Sequence, residues 1–170
     1  MRLLALSRCG RGDDDDTVSD EPLDLHRALA GFDDLWAPRI AARVNDYDVR
    51  VAKVAGEFAW HRHDDTDEFF LVLDGELRIA LREDRGERTV TLPTGSLFVV
   101  ARGVEHRPSS AGGASILMFE PTGTPTTGDH HEQLPEHLVT TTGHALGTAV
   151  SSGAAAHPPS IEHTSGSDGL

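Results

Sequence analysis

From Tyr47 onward, apolar and polar positions alternate along the chain. Tyr47, Val49 and Val51 alternate with polar residues and predict a first strand that runs to about Val54. Glu68 to Leu73 forms a second strand-like run, in which Glu68 shares a face with Phe70 and Val72. Asp74-Gly75 reads as a hairpin turn leading into Leu77, Ile79 and Leu81, which alternate with Glu76, Arg78, Ala80 and Arg82. Asp84-Arg85-Gly86 turns the chain toward Val90 and Leu92, and Pro93-Thr94-Gly95 turns it again before a buried strand over Ser96 to Val100. Ser109 to Gly113 reads as a loop and Ser115 to Phe119 as the last strand. Short strands with frequent turn signals and no intervening helix argue for an all-β sandwich or barrel, and against a parallel α/β sheet.

The ends read differently. Leu25, Leu29, Phe32 and Trp36 recur at four- and three-residue spacing, predicting a short helix capped by Asp20, with Pro22 in its first turn, and closed by Pro38. Its apolar face suits a lid on the barrel or a contact with a second subunit, and His26 on it is given no catalytic role. Beyond Pro121 the run Thr122 to Gly128 is a Thr, Gly and Pro loop able to fold over the barrel, and Glu132 to Val139 has the pattern of a short helix. The remainder, rich in Ser, Gly, Thr, Ala, Pro and His, holds too little hydrophobic sequence for a core. The expected division is a disordered acidic tail over 1–19, one domain over 20–129 and a mostly disordered tail over 130–170.

The candidate chemistry lies in Gly56 to Gly75. His61 and His63, two apart on a strand, share a face, and the polar turn Asp64-Asp65-Thr66-Asp67 separates them from Glu68. A hairpin returning Glu68 opposite the histidines would gather two nitrogens and a carboxylate oxygen around one point, a donor set suited to a divalent transition metal. Alone, a His-x-His pair is as often an exposed polar pair. Here Phe58 and Trp60 precede it and an apolar run follows Glu68, so the cluster is embedded in hydrophobic sequence. His106, after another apolar strand, is a fourth candidate. His130 and His131 are adjacent and point apart on a strand, so they are set aside as ligands.

These residues carry a resemblance. Gly56-x4-His61-x-His63-x4-Glu68-x6-Gly75 resembles the first motif of the cupin superfamily, and Gly95-x7-Gly103-x2-His106 the second. The stretches WHRHDDTDEFF, ARGVEHRP and FEPTGTPTTGD resemble small single-domain bacterial cupins of the cupin-2 barrel family, some labelled mannose-6-phosphate isomerase-like. The resemblance covers about residues 20 to 129. It implies a double-stranded β-helix, or jelly-roll barrel, holding one divalent transition metal (Zn, Fe, Mn or Ni) on His61, His63, Glu68 and His106. It departs from the pattern in a first spacer of four rather than five residues, and in Ala101 and Ser110 where proline and asparagine are usual. None of these removes a ligand.

Composition narrows the partners. A formal charge of −13 over 170 residues disfavours nucleic acid. The acidic run Asp13 to Asp16 reads as a solvated tail. No apolar stretch approaches the roughly 20 residues of a membrane span, and Cys9 is the only cysteine, which fits a reducing, cytoplasmic setting. The functional expectation is a mononuclear metalloenzyme acting on a small polar molecule, an isomerase of sugars or sugar phosphates or a dioxygenase. Glu68 would be ligand or base, and Arg50, Lys53, Arg62 and Arg102 candidate contacts to the substrate. The alternatives are a non-catalytic small-ligand-binding or sensor protein with a bound metal, and a purely structural metal. A homodimer is expected, with the N-terminal apolar face covered by its partner.

Overall fold

A computed structural model describes residues 22–147; the acidic run, Cys9 and the expected disorder beyond 147 lie outside the described residues. In chain order the elements are α1 (Leu25–Ala30), β1 (Arg39–Val44), β2 (Tyr47–Glu57), β3 (His61–Arg62), β4 (Glu68–Glu83), β5 (Gly86–Pro93), β6 (Leu97–Val100), β7 (Glu105–Pro121), β8 (His130–His131) and β9 (His144–Ala145). Hydrogen bonding orders them β5-β4-β7-β2-β1-β9, with β6 on β4 and β3 between β7 and β8. The sheet does not close on itself. Together these strands make an all-β jelly roll.

Two long bent strands create its two layers. The first half of β4 pairs with β6 and the late part of β7, and its second half pairs with β5 and the early part of β7. The expected hairpin at Asp74-Gly75 is therefore absent. Gly75 instead sits at a bulge with φ 81°, where an added Cβ would overlap the carbonyl of Gly113 on β7. The dipeptide bends one strand because the neighbouring backbone comes too close for a side chain. For the same reason Ser109 to Gly113 is no loop: Ser109 pairs with Arg78 and with Glu57, and Ser110 with Gly56, inside β7.

Alternation then decides what lies between the layers. Val54 on β2, Phe70, Val72, Leu77, Ile79 and Leu81 on β4, and Ile116 and Met118 on β7 are buried in one cluster with Leu92 and Val100. Each fully buried side chain of this size contributes about 1.5–3 kcal/mol relative to exposure. The opposite faces of β7, β4 and β6 are also apolar: Phe119 pairs with Phe69, and Phe69 with Val99, while Leu117, Leu71 and Leu97 form the next row. Leu97 and Val99 are exposed there, at 60% and 45%.

At the N-terminus the helix is shorter than its spacing predicts. Asp24, not Asp20, caps it, its carboxylate accepting from the amides of His26 and Arg27 at 2.9 and 3.2 Å. Gly31 ends it, and Trp36, at φ 56°, is drawn onto β2: its amide donates to the Lys53 carbonyl and its indole to that of Ala55. Leu29 and Trp36 are buried against the barrel, so part of the expected subunit-facing surface is consumed within the chain.

Strand pairing continues past residue 129, where composition alone points to a tail. β8 pairs with β3, β9 runs parallel to β1, and Leu138 is buried in the core. Glu132 to Val139 forms no helix; Pro135 begins a turn closed by the Leu138 amide on its carbonyl, 2.9 Å. Proline supplies the fixed φ of a turn and cannot donate into a helix.

Candidate metal centre

The paired histidines are set by β3, a two-residue strand held on both edges. His61 pairs with His106 of β7 on one side and with His131 of β8 on the other. β3 does not pair with β4, so Glu68 arrives across the interior, not through a hairpin. The Asp64–Asp67 turn still carries the chain between them, and Asp67 caps it by accepting from the Arg102 amide at 2.9 Å. Glu68 begins β4 on the face it shares with Phe70 and Val72, as the alternation requires.

The structure brings His61, His63, Glu68 and His106 together, all buried, with one ligand-type atom from each lying within 4.8 Å of the others. Glu68 Oε2 lies 2.6 Å from His106 Nε2, 3.4 Å from His63 Nε2 and 3.7 Å from His61 Nε2. The Nδ1 atoms of His61 and His106 each lie 3.0 Å from a backbone carbonyl, of Ala59 and Val104. A carbonyl only accepts, so each Nδ1 carries a proton and Nε2 is the ring atom turned toward Glu68, able to ligate an ion when that ring is neutral. The Nε2 atoms of His61 and His63 are buried without a hydrogen-bond partner. Orphaned buried polar atoms beside a carboxylate are costly unless something fills the space between them, and this donor set fits a divalent transition ion.

The electrostatics follow from that crowding. Burial works to push Glu68 up, but the charge of His106 and its 2.6 Å hydrogen bond, with the longer polar contacts of His61 and His63, hold it well below the ordinary carboxylate range. Burial lowers His61, outweighing the pull of the nearby Glu68 carboxylate. For His63 burial also acts downward, yet the Glu68 carboxylate 3.4 Å away, aided by the charges of Glu120 and Asp129, leaves it raised.

A cavity of about 30 Å³ adjoins the ligands. Trp36, Val54, Phe58, Phe70, Ile116 and Met118 form much of its apolar wall; its polar atoms come from His61, Glu68 and Thr126. None of the four cations proposed from sequence lines it. Arg50 is buried but committed, donating to Glu120 at 2.8 Å, to the Thr124 carbonyl at 2.9 Å and to Asp48 at 3.3 Å. Lys53 pairs with Asp33, Arg62 with Asp64, and Arg102 is exposed beside Asp67. His130 and His131 are exposed and outside the ligand group, with His130 Nε2 2.9 Å from Asp64.

Sequence reading missed Glu120 and Thr126. Glu120 pairs with Asp48 across β2, and one step beyond the Phe69–Phe119 pair it falls beside Glu68, so three carboxylates share a row on adjacent strands. Continuing the alternation of Ile116 and Met118 by one more step would have found it. Burial and the Glu68 charge push Glu120 up to about 8, against the pull of Arg50. Thr126 lies in a polar loop with no periodic signal.

A strand-built barrel with histidines and a carboxylate converging on one buried point defines a class of small β-barrel proteins with a metal-type centre. The cupin domain family model matches residues 47–120. A crystal structure of a cupin-2 domain containing protein from Shewanella frigidimarina NCIMB 400 is 39% identical, with 58% of this chain covering 93% of that one at a TM-score of 0.55. Protein NMB1881 from Neisseria meningitidis is 28% identical, with 59% of this chain and 99% of that chain covered and a TM-score of 0.53. The uncharacterized protein YdbB of Bacillus subtilis (strain 168) is 39% identical over 69 residues, 41% of this chain; the match spans 58% of that relative's length. The chain belongs to the cupin-2 family of small bacterial cupins.

Proposed function

We propose that this protein is a mononuclear metalloenzyme that acts on a small, weakly polar molecule held in the barrel beside His61, His63, Glu68 and His106. The observation that carries this reading is the cavity: three polar residues at the ligands, an otherwise apolar wall, and no unpaired cation. A sugar phosphate needs charged or multiply hydrogen-bonding partners, so the lining favours the dioxygenase branch over the isomerase branch.

When bound, the ion (Zn, Fe, Mn or Ni) supplies Lewis acidity or, if redox-active, electron transfer. The chain supplies the rest. Ala59 and Val104 fix the imidazole orientations, Phe58 and Phe70 exclude water, and Glu68 serves as ligand or as acceptor for a proton of the substrate. Anaerobic purification with metal analysis, then oxygen uptake on adding small phenols, tests it. Iron with substrate-dependent uptake supports the reading; zinc or manganese with a thermal shift on sugar phosphates overturns the preference. A second reading, a non-catalytic binder, is favoured by the small volume, and stoichiometric metal without turnover of any compound would select it.

Two expectations about setting belong to this proposal. Among the described residues no helix is long and apolar enough to cross a membrane, and the single cysteine fits the cytoplasm. A homodimer would now use the exposed row around Leu97 and Val99; a sedimentation mass of one chain at high micromolar concentration would sink it.

A further inference from the structure

The segment from Pro121 to Leu138 does more than trail from the barrel. It runs along one edge of β3, the strand that bears His61, and pairs with it through β8. The amides of Asp129 and Glu132 donate to the carbonyls of Arg62 and Trp60, both at 2.9 Å. The Asp129 carboxylate accepts from the Asp64 amide at 2.9 Å, just after His63. Farther back, the Thr124 carbonyl is held by Arg50, and Thr126 reaches the cavity. At the other end Leu138 is buried in the core. The segment is therefore a strap tied down at both ends, with its middle pressed on the residue between the two histidines.

Gly128 is the point of closest approach. Its φ is 64°, and an added Cβ would overlap the Arg62 carbonyl oxygen and lie 2.7 Å from the carbonyl carbon and 3.3 Å from the Arg62 nitrogen. All three are backbone atoms, so no side chain can swing aside. Any residue larger than glycine must displace either the strap or the Arg62 backbone, which lies between His61 and His63.

We propose that the strap is a positioning element of the metal centre: seating of Gly128 on Arg62 sets the spacing of the paired histidines and closes the cavity, and exchange at the centre requires the strap to unseat. This rests on the metal reading above. About 30 Å³ is room for little more than water, so a substrate enters only if part of the wall moves. Of the residues around the cavity, Thr126 is the one carried by the strap.

Gly123 provides the control. It lies in the same strap at φ 86°, but an added Cβ there meets nothing within 4 Å. Gly123→Ala and Gly128→Ala thus share the strain of a left-handed alanine and differ in the contact with Arg62. The full chain is loaded with Zn²⁺ and its release to a chromophoric chelator is timed; Co²⁺-loaded samples give the visible absorption bands of the site. Gly128→Ala should release zinc at least tenfold faster than Gly123→Ala and shift the cobalt bands, while Gly123→Ala stays within twofold of wild type. Equal rates and unshifted bands in the two variants would overturn the proposal. Should Gly128→Ala fail to fold, Asp129→Ala removes one anchor without a clash, and it should release zinc at least threefold faster than wild type; an unchanged rate sinks the idea. A wild-type protein that takes up neither ion overturns the metal reading, and this inference with it.

Discussion

At the residue scale, direction of side chains is the determining property. His61 and His63 share a face because they are two apart, and that much is legible in the sequence. Their partners were legible by type, but how they meet was not, since β3 bonds to β7 and β8 instead of folding back on β4. His63→Ala should lose stoichiometric metal by elemental analysis, whereas the double change of His130 and His131 should keep it; the reverse result would mean that the wrong histidines were chosen. Glu120 gives a pH prediction. An ion pair with Arg50 would ordinarily depress a carboxyl, but burial, Glu68 and Asp48 outweigh it and raise Glu120 to about 8 from an ordinary 4.5. A group whose folded pKa is raised stabilises the fold fully below its unfolded value and loses that contribution as pH climbs through the folded one. The metal-free protein should therefore lose thermal stability between about pH 4.5 and pH 8, and Glu120→Gln should flatten that decline. An identical profile in the variant would refute the assignment.

At the scale of elements, the sequence is informative wherever one face is buried and the other wet. β4 and β5 alternate cleanly, so their strands were predictable; their turns were less so, because a glycine that bends a strand and one that ends it look alike. The strap is the least legible element. It carries polar, glycine and proline residues, and it is held by backbone hydrogen bonds and a few contacts, none of which has a period. Its buried apolar anchor, Leu138, is 4% exposed, and Leu134 packs partly buried against the same core. Leu138→Ala should cost about 2–5 kcal/mol, the range for a truncated core leucine, measured by urea unfolding at fixed metal occupancy. A loss under about 0.5 kcal/mol, the size of an ordinary surface substitution, would show that the segment beyond 129 is the tail its composition suggests.

At the scale of the molecule, the four ligand side chains come from three separate stretches of chain: β3 and the residue just after it, the start of β4, and β7. β4 and β7 also bend so that each serves both layers. An ion at this point would cross-link the fold where its layers meet, and the unfolded chain offers no such preformed site, so binding adds directly to folding stability. The expected size follows from mass action: about 2.7 kcal/mol when free metal stands at one hundred times its Kd. Dialysis against a chelator should lower the thermal midpoint, and restoring one equivalent of metal should return it. Acid should act in the same direction, because neutral imidazoles are needed for ligation and protons compete for their Nε2 atoms. The informative comparison is His63→Ala, whose midpoint should respond to neither chelator nor added metal. If wild type and variant respond alike, the stabilising ion sits elsewhere and the buried histidines serve only the packing of the barrel.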